Sequence, residues 1–134
     1  MRIESSFTES ERAGIMSELS TLADTVKRSY AENDVDLYLS AFDEDAIVSM
    51  PGMTPMRGHS ALRHLFTNRP PLPPGATFSV DVSEIAPLSS DWAYAFGTDI
   101  LQHADGRKET MTFLVLIGRT ADGWKTFREV LSPD

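Results

Sequence analysis

The side chains of this chain with types suited to chemistry are few: an arginine set in a strand, an aspartate and a histidine on another strand, two more histidines and a run of acids. Arg128 sits mid-strand among apolar neighbours. A buried guanidinium needs a partner, either a protein carboxylate or an anionic ligand. In the second case it would clamp a carboxylate, phosphate or enolate oxygen. The competing reading is a structural pair with Asp99 or another acid, or a side chain reaching the rim of a cavity. Asp99 and His103 share one strand face, but four residues of extended chain separate them by about 13 Å, too far for a direct hydrogen bond. They are not a dyad. Facing inward beside Arg128, Asp99 would be an acid/base group with an environment-shifted pKa; facing outward, both are solvated.

His59 and His64 are five apart on a helix, whereas a metal pair on one helical face wants four, and no third ligand is obvious. No metal and no cofactor are expected. Asp34, Asp36, Asp43, Glu44 and Asp45 lack the glycine and distal glutamate of a calcium loop and read as caps and solvated residues. Met50, Met53 and Met56 suit either loop packing or an adaptable apolar site. Tyr30 and Tyr38 read as core residues with a wet hydroxyl. The chain has no phosphate loop, dinucleotide fingerprint or nucleophile elbow.

These groups must be held by a domain of 134 residues, enough for one core, with ordinary hydrophobic (41%) and charged (24%) shares. Residues 1–134 are read as one domain. The net charge of −8 disfavours nucleic acid and anionic membrane as partners. Without cysteine there is no disulfide or thiolate chemistry. Arg2, Glu4 and Glu9 stand where an apolar leader would be, so the expected location is cytoplasmic.

Thr8 and Glu11 have capping-box spacing, and Ile15, Leu19, Leu22, Val26 and Tyr30 then form one apolar stripe of a long helix. Asn33-Asp34 ends it and caps a short second helix carrying Leu37, Tyr38, Ala41 and Phe42. Asp43-Glu44-Asp45 reads as punctuation before a strand over Ala46 to Met50. A third helix turns Leu62, Leu65 and Phe66 inward. The segment with Pro70, Pro71, Pro73 and Pro74 is a semi-rigid connection. A strand near Phe78 to Pro87 precedes three more, roughly Trp92 to His103, Arg107 to Gly118 and Trp124 to Leu131, with turn signals at Ser89-Ser90-Asp91, Asp105-Gly106 and Asp122-Gly123. Helices followed by antiparallel strands argue for α+β.

Alternation puts Met111, Phe113, Val115 and Ile117 on one face and Thr112, Leu114 and Leu116 on the other. Both faces are apolar enough to need cover. Three helices cover one face, and a second subunit is the economical cover for the other, so a homodimer is expected. The alternative is a more sharply curled sheet.

Phe42-Asp43-Glu44-Asp45-Ala46-Ile47-Val48, then Pro51-Gly52, then Arg57-Gly58 before a helix, and Asp122-Gly123-Trp124-Lys125 entering the last strand, resemble the ketosteroid-isomerase-like, or nuclear-transport-factor-two-like, superfamily, closest to its SnoaL-like and SgcJ-like branches. The resemblance implies a cone-shaped roll, a curved antiparallel sheet packed on three N-terminal helices. It also implies a pocket lined by Val26, Tyr30, Met50, Leu65, Met111, Phe113, Val115, Arg128 and Val130. On the Trp92 to His103 strand, a two-residue turn at Asp105-Gly106 would point Tyr94, Phe96 and Thr98 inward; a three-residue turn would point Gly97, Asp99 and His103 inward.

The superfamily's steroid isomerases use a carboxylate base, a tyrosine and a protonated aspartate. By resemblance those positions are Met50, Val26 and Val115, so that mechanism lacks its groups here. The expected function is a small-molecule pocket, with cofactor-independent acid/base chemistry of isomerase, cyclase or dehydratase type on a carbonyl or carboxylate compound. Arg128 and Asp99 are its expected catalytic residues. The alternative is a non-catalytic ligand-binding or dimerisation module.

Overall fold

Thr8 opens the first helix as its spacing predicts: its hydroxyl oxygen accepts from the Glu11 amide at 3.1 Å, and the hydroxyl lies 3.0 Å from the Glu11 carboxylate. The computed structural model describes residues 7–134. Arg2 and Glu4 lie outside the described residues. Helix α1 runs Glu9–Glu32 and ends on Asn33 in the left-handed region, φ 53°. Asp34 then accepts from the Leu37 amide at 3.0 Å and starts α2 (Val35–Ser40). Helix α2 is shorter than expected: Ala41 is its C-cap, and Phe42 already belongs to β1 (Phe42–Ser49).

The expected strand Ala46 to Met50 thus starts four residues earlier and ends at Ser49. Asp43-Glu44-Asp45 does not break it. The pairing shifts register between Phe42 and Ile47, and the Asp43 carboxylate accepts from the Asp45 amide at 2.9 Å. That local turn lets the acids sit in an irregular strand whose flanks, Phe42 and Ala46, are buried. Strand β2 (Met56–Arg57) and helix α3 (Gly58–Thr67) follow, with Leu62 and Phe66 buried and Leu65 partly so. The remaining strands are β3 (Thr77–Pro87), β4 (Trp92–Gln102), β5 (Lys108–Thr120) and β6 (Gly123–Pro133).

The six strands form one curved sheet in the order β2-β1-β6-β5-β4-β3. The sheet is mixed, which corrects the expected antiparallel one: β1 pairs with β6 in parallel. A parallel neighbour needs a long crossover, and everything from β2 to β5 supplies it. The Thr126 amide donates to the Ala41 carbonyl at 2.8 Å at the start of that seam.

Two apolar clusters hold the layers together. One joins Tyr38, Leu39, Phe42, Val48, Leu62 and Phe66; the other joins Ile15 and Leu19 of α1 to Ala93, Ala95, Phe113, Ile117 and Trp124 of the sheet. Glu18 fastens the same contact from its edge. Its carboxylate accepts from Trp124 Nε1 at 2.6 Å and lies 3.2 Å from Arg119. Among the described residues no helix is long and apolar enough to cross a membrane.

Leu19 is 1% exposed at the centre of the helix–sheet contact. Leu19→Ala should lower the unfolding free energy by about 3 kcal/mol in urea denaturation. A loss below about 1 kcal/mol would contradict the packing of α1 on the sheet.

Candidate functional site

The turn between β4 and β5 decides which face of β4 points inward. The His103 amide donates to the Arg107 carbonyl at 2.8 Å, leaving Ala104-Asp105-Gly106 as a three-residue loop with Gly106 at φ +89°. This is the second of the two turn geometries open to the sequence. Ala93, Ala95, Gly97 and Asp99 accordingly face the helices. Gly97 has to be glycine: a Cβ there would sit 2.2 Å from the Asp81 carbonyl and 2.7 Å from the Phe113 ring. The ring of Phe113 lies across β4 at that point.

Strand β6 departs from strict alternation. Its pairing with β5 runs Ile117 to Thr126 and then Leu116 to Arg128, so Phe127 is an extra residue. This bulge reverses the faces of everything after it. Trp124 and Thr126 are buried before it; Glu129 and Leu131 line the cavity after it. Arg128, expected to point into the pocket, is on the other side. It donates to the carbonyls of Phe127 (2.8 Å) and Asp45 (3.2 Å) and lies 3.9 Å over the Phe127 ring. Val130, expected to line the pocket, is 51% exposed.

Between the sheet and the helices lies a cavity of about 850 Å³, with a deeper recess of about 110 Å³. Of the expected lining, Met50, Leu65 and Met111 line the outer cavity, and Val26, Phe113 and Val115 the recess. Tyr30, Tyr38, Asp99 and Glu129 line both and stand where the two meet. The two tyrosine rings pack edge to face at 5.8 Å, and Tyr38 also packs on Phe42 and Phe66.

Asp99 and Glu129 come from strands on either side of β5. Burial pushes the Asp99 carboxyl up to about 6. Burial, and then the neighbouring Asp99 charge, push Glu129 up to about 7. Tyr30 and Tyr38 are also raised, by burial first; for Tyr30 the Glu129 and Asp99 charges come next, and for Tyr38 the neighbouring Tyr30 and Glu129. Two acids poised near neutrality beside two un-ionised phenols can accept a proton, donate one and hydrogen-bond a developing oxyanion.

The histidines do not join this group. His59 Nε2 lies 2.8 Å from the Phe42 carbonyl, His64 pairs with Asn68, and His103 is 2.7 Å from Glu109. Asp34 caps α2 and Asp36 pairs with Arg63 at 2.7 Å. Glu129 was missed by sequence reasoning because strict alternation from Trp124 turns it outward. Neither glycine nor proline marks the bulge at Phe127.

No protein-family model and no curated protein matches the chain. Solved structures do. A ketosteroid isomerase-like protein from Erwinia carotovora atroseptica superposes with a TM-score of 0.71 at 20% identity, over 95% of this chain and 98% of that one. An NTF2-like protein from Shewanella oneidensis gives 0.72 at 20% identity, over 87% and 98%. The CaMKII hub of S. rosetta gives 0.73 at 17% identity, over 88% and 95%. The fold is that of the ketosteroid-isomerase-like, NTF2-like superfamily.

The Glu129 carboxyl is raised on folding, so its contribution to stability is full below its unfolded value and is lost as pH rises through about 7. Glu129→Gln removes that loss. The melting temperature of the variant relative to wild type should therefore climb between pH 5 and pH 8. A difference that stays constant over this range would contradict a partly buried, proton-holding Glu129.

Proposed function

We propose that the protein takes a small, mostly apolar carbonyl compound into the cone cavity and moves a proton on it without a cofactor, in an isomerase-, cyclase- or dehydratase-type reaction. The observation that carries this reading is the meeting of Asp99 and Glu129, both shifted toward neutrality, with Tyr30 and Tyr38 in one apolar cavity. Asp99, with the lower value, is the base: its carboxylate takes a proton from the carbon next to the carbonyl. The electron pair moves onto the carbonyl oxygen, which accepts hydrogen bonds from protonated Glu129 and a tyrosine hydroxyl. The enolate then collapses, either by taking the proton back at another carbon or by expelling a β-hydroxyl as water with a proton from Glu129.

The groups of the steroid isomerases are replaced at Met50, Val26 and Val115, but the same three kinds of group stand elsewhere in the cavity. Tyr30 lies one helical turn beyond Val26. This supports proton transfer with a different placement of the carbonyl, and so a different substrate, from the steroid enzymes.

A second reading, a dimerising module, has its own support. Phe96, Leu114 and Val130 are laterally paired across β4, β5 and β6 and are 45%, 49% and 51% exposed on the outer face. Such a row calls for a cover, and the self-complementary cover is a second copy of the chain. The superposing CaMKII hub is likewise consistent with an associating use of this fold. The two readings are compatible, since the cavity and the row lie on opposite faces of the sheet.

With 2-tetralone as probe, NMR should show protein-accelerated exchange of its α-protons for solvent deuterium, with a maximum between pH values of about 6 and about 7. Asp99→Asn should lower the rate about 100-fold. Exchange at the buffer rate, or unchanged in Asp99→Asn, would contradict the catalytic reading.

Sedimentation equilibrium should give twice the 14.8 kDa chain mass, and Leu114→Arg should give a folded monomer. A wild-type monomer at tens of micromolar would contradict the dimer.

A further inference from the structure

The outer cavity carries four charged or chargeable side chains besides its tyrosines: Arg69, Asp99, Glu109 and Glu129. Glu109 is taken up by His103 at 2.7 Å. Asp99 and Glu129 are the acids described above, and neither owes its shift to a nearby cation. Arg69 is different. It lines the outer cavity but not the recess, at the point where α3 hands over to the proline segment.

Its guanidinium is held in place by neutral groups. Nη1 donates to the Phe66 carbonyl at 2.7 Å and Nη2 to the Asn33 side-chain oxygen at 2.9 Å. The group lies 3.8 Å over the Phe66 ring and 5.4 Å over that of Tyr30. No carboxylate among the described residues forms an ion pair with it. A guanidinium has five N–H donors and is always protonated, so donors remain after these two contacts. A fixed, half-buried cation without a counter-charge, open to an apolar cavity, is arranged for an anion that arrives from outside.

We infer that Arg69 recognises the anionic end of the ligand, and that the ligand is a small organic acid with its carboxylate on Arg69 and its apolar body running inward to Asp99 and Glu129. This rests on the cavity reading above and narrows its substrate class to carboxylates. The aromatic flanks of Arg69, Phe66 and Tyr30, then face the part of the ligand next to the carboxylate. The reactive carbon lies at the other end, beside the two acids. Arg69 is a specificity residue in this arrangement.

The test uses 2-naphthylacetate and its neutral counterpart 2-naphthylacetamide, titrated by calorimetry into the full chain at pH 7.5. Binding should favour the acid about tenfold, the usual effect of one hydrogen-bonded charge. Arg69→Gln should abolish the preference while the amide binds as before, and Arg69→Lys should keep part of it. A purely structural Arg69 would lower both affinities together and leave their ratio unchanged, which would overturn the inference. So would equal affinities in the wild-type protein, a result that needs no variant. In that case the amide still binds and the cavity reading stands. Binding of neither compound would overturn both.

Discussion

One extra residue in the last strand, Phe127, decides what the cavity can do. Before it, β6 turns Trp124 and Thr126 into the core; after it, Glu129 and Leu131 face inward and Arg128 and Val130 face out. Without the bulge, alternation from Trp124 would turn Arg128 inward and Glu129 outward. With it, two carboxyls share an apolar space, and burial holds both toward the protonated form. The outward row of Phe96, Leu114 and Val130 is the other product of the same reversal, because Val130 completes it.

The rest of the fold serves this arrangement. The packing of Ile15 and Leu19 in one apolar cluster with sheet residues fixes α1 on the sheet and thereby fixes Tyr30, three turns beyond Leu19 on the same helix. Tyr38 reaches the cavity because Asp34 starts a second helix directly after the first. Gly97 lets the Phe113 ring lie across β4, where it lines the recess together with Asp99. The parallel seam between β1 and β6 joins the helical cluster around Phe42 and Phe66 to the strand that carries Glu129. The cavity lining is graded: Arg69 stands only in the outer part, Asp99 and Glu129 where the outer part and the recess meet, and the recess is otherwise lined mostly by apolar side chains.

Much of the fold was legible in the sequence because its signals are local. Thr8 and Glu11, Asn33-Asp34 and the glycine turns act through neighbouring amides and dihedral angles, and they mark element ends wherever the chain folds. The mixed sheet was not legible, since the partner of β1 is set by contacts with residues more than eighty positions away. The site was half legible. Asp99 came in as one of two alternatives, separated only by the length of the turn at Gly106. Glu129 and Arg128 exchange faces because alternation assumes an unbroken ladder, and the bulge at Phe127, just before both, has no residue type to announce it. Arg69 sits in a proline-rich connection without periodicity, and its importance comes from what surrounds it in space.

The central claim is that Asp99 and Glu129 are acids held toward the protonated form inside the cavity. It is tested most directly by a carbon-13 NMR titration of the side-chain carboxyl signals, assigned with Asp99→Asn and Glu129→Gln. The account predicts that these two carboxyls titrate well above the other acids, at about 6 and about 7, and that removing Asp99 lowers the Glu129 value. Titration of both below pH 5, with each independent of the other, would contradict it.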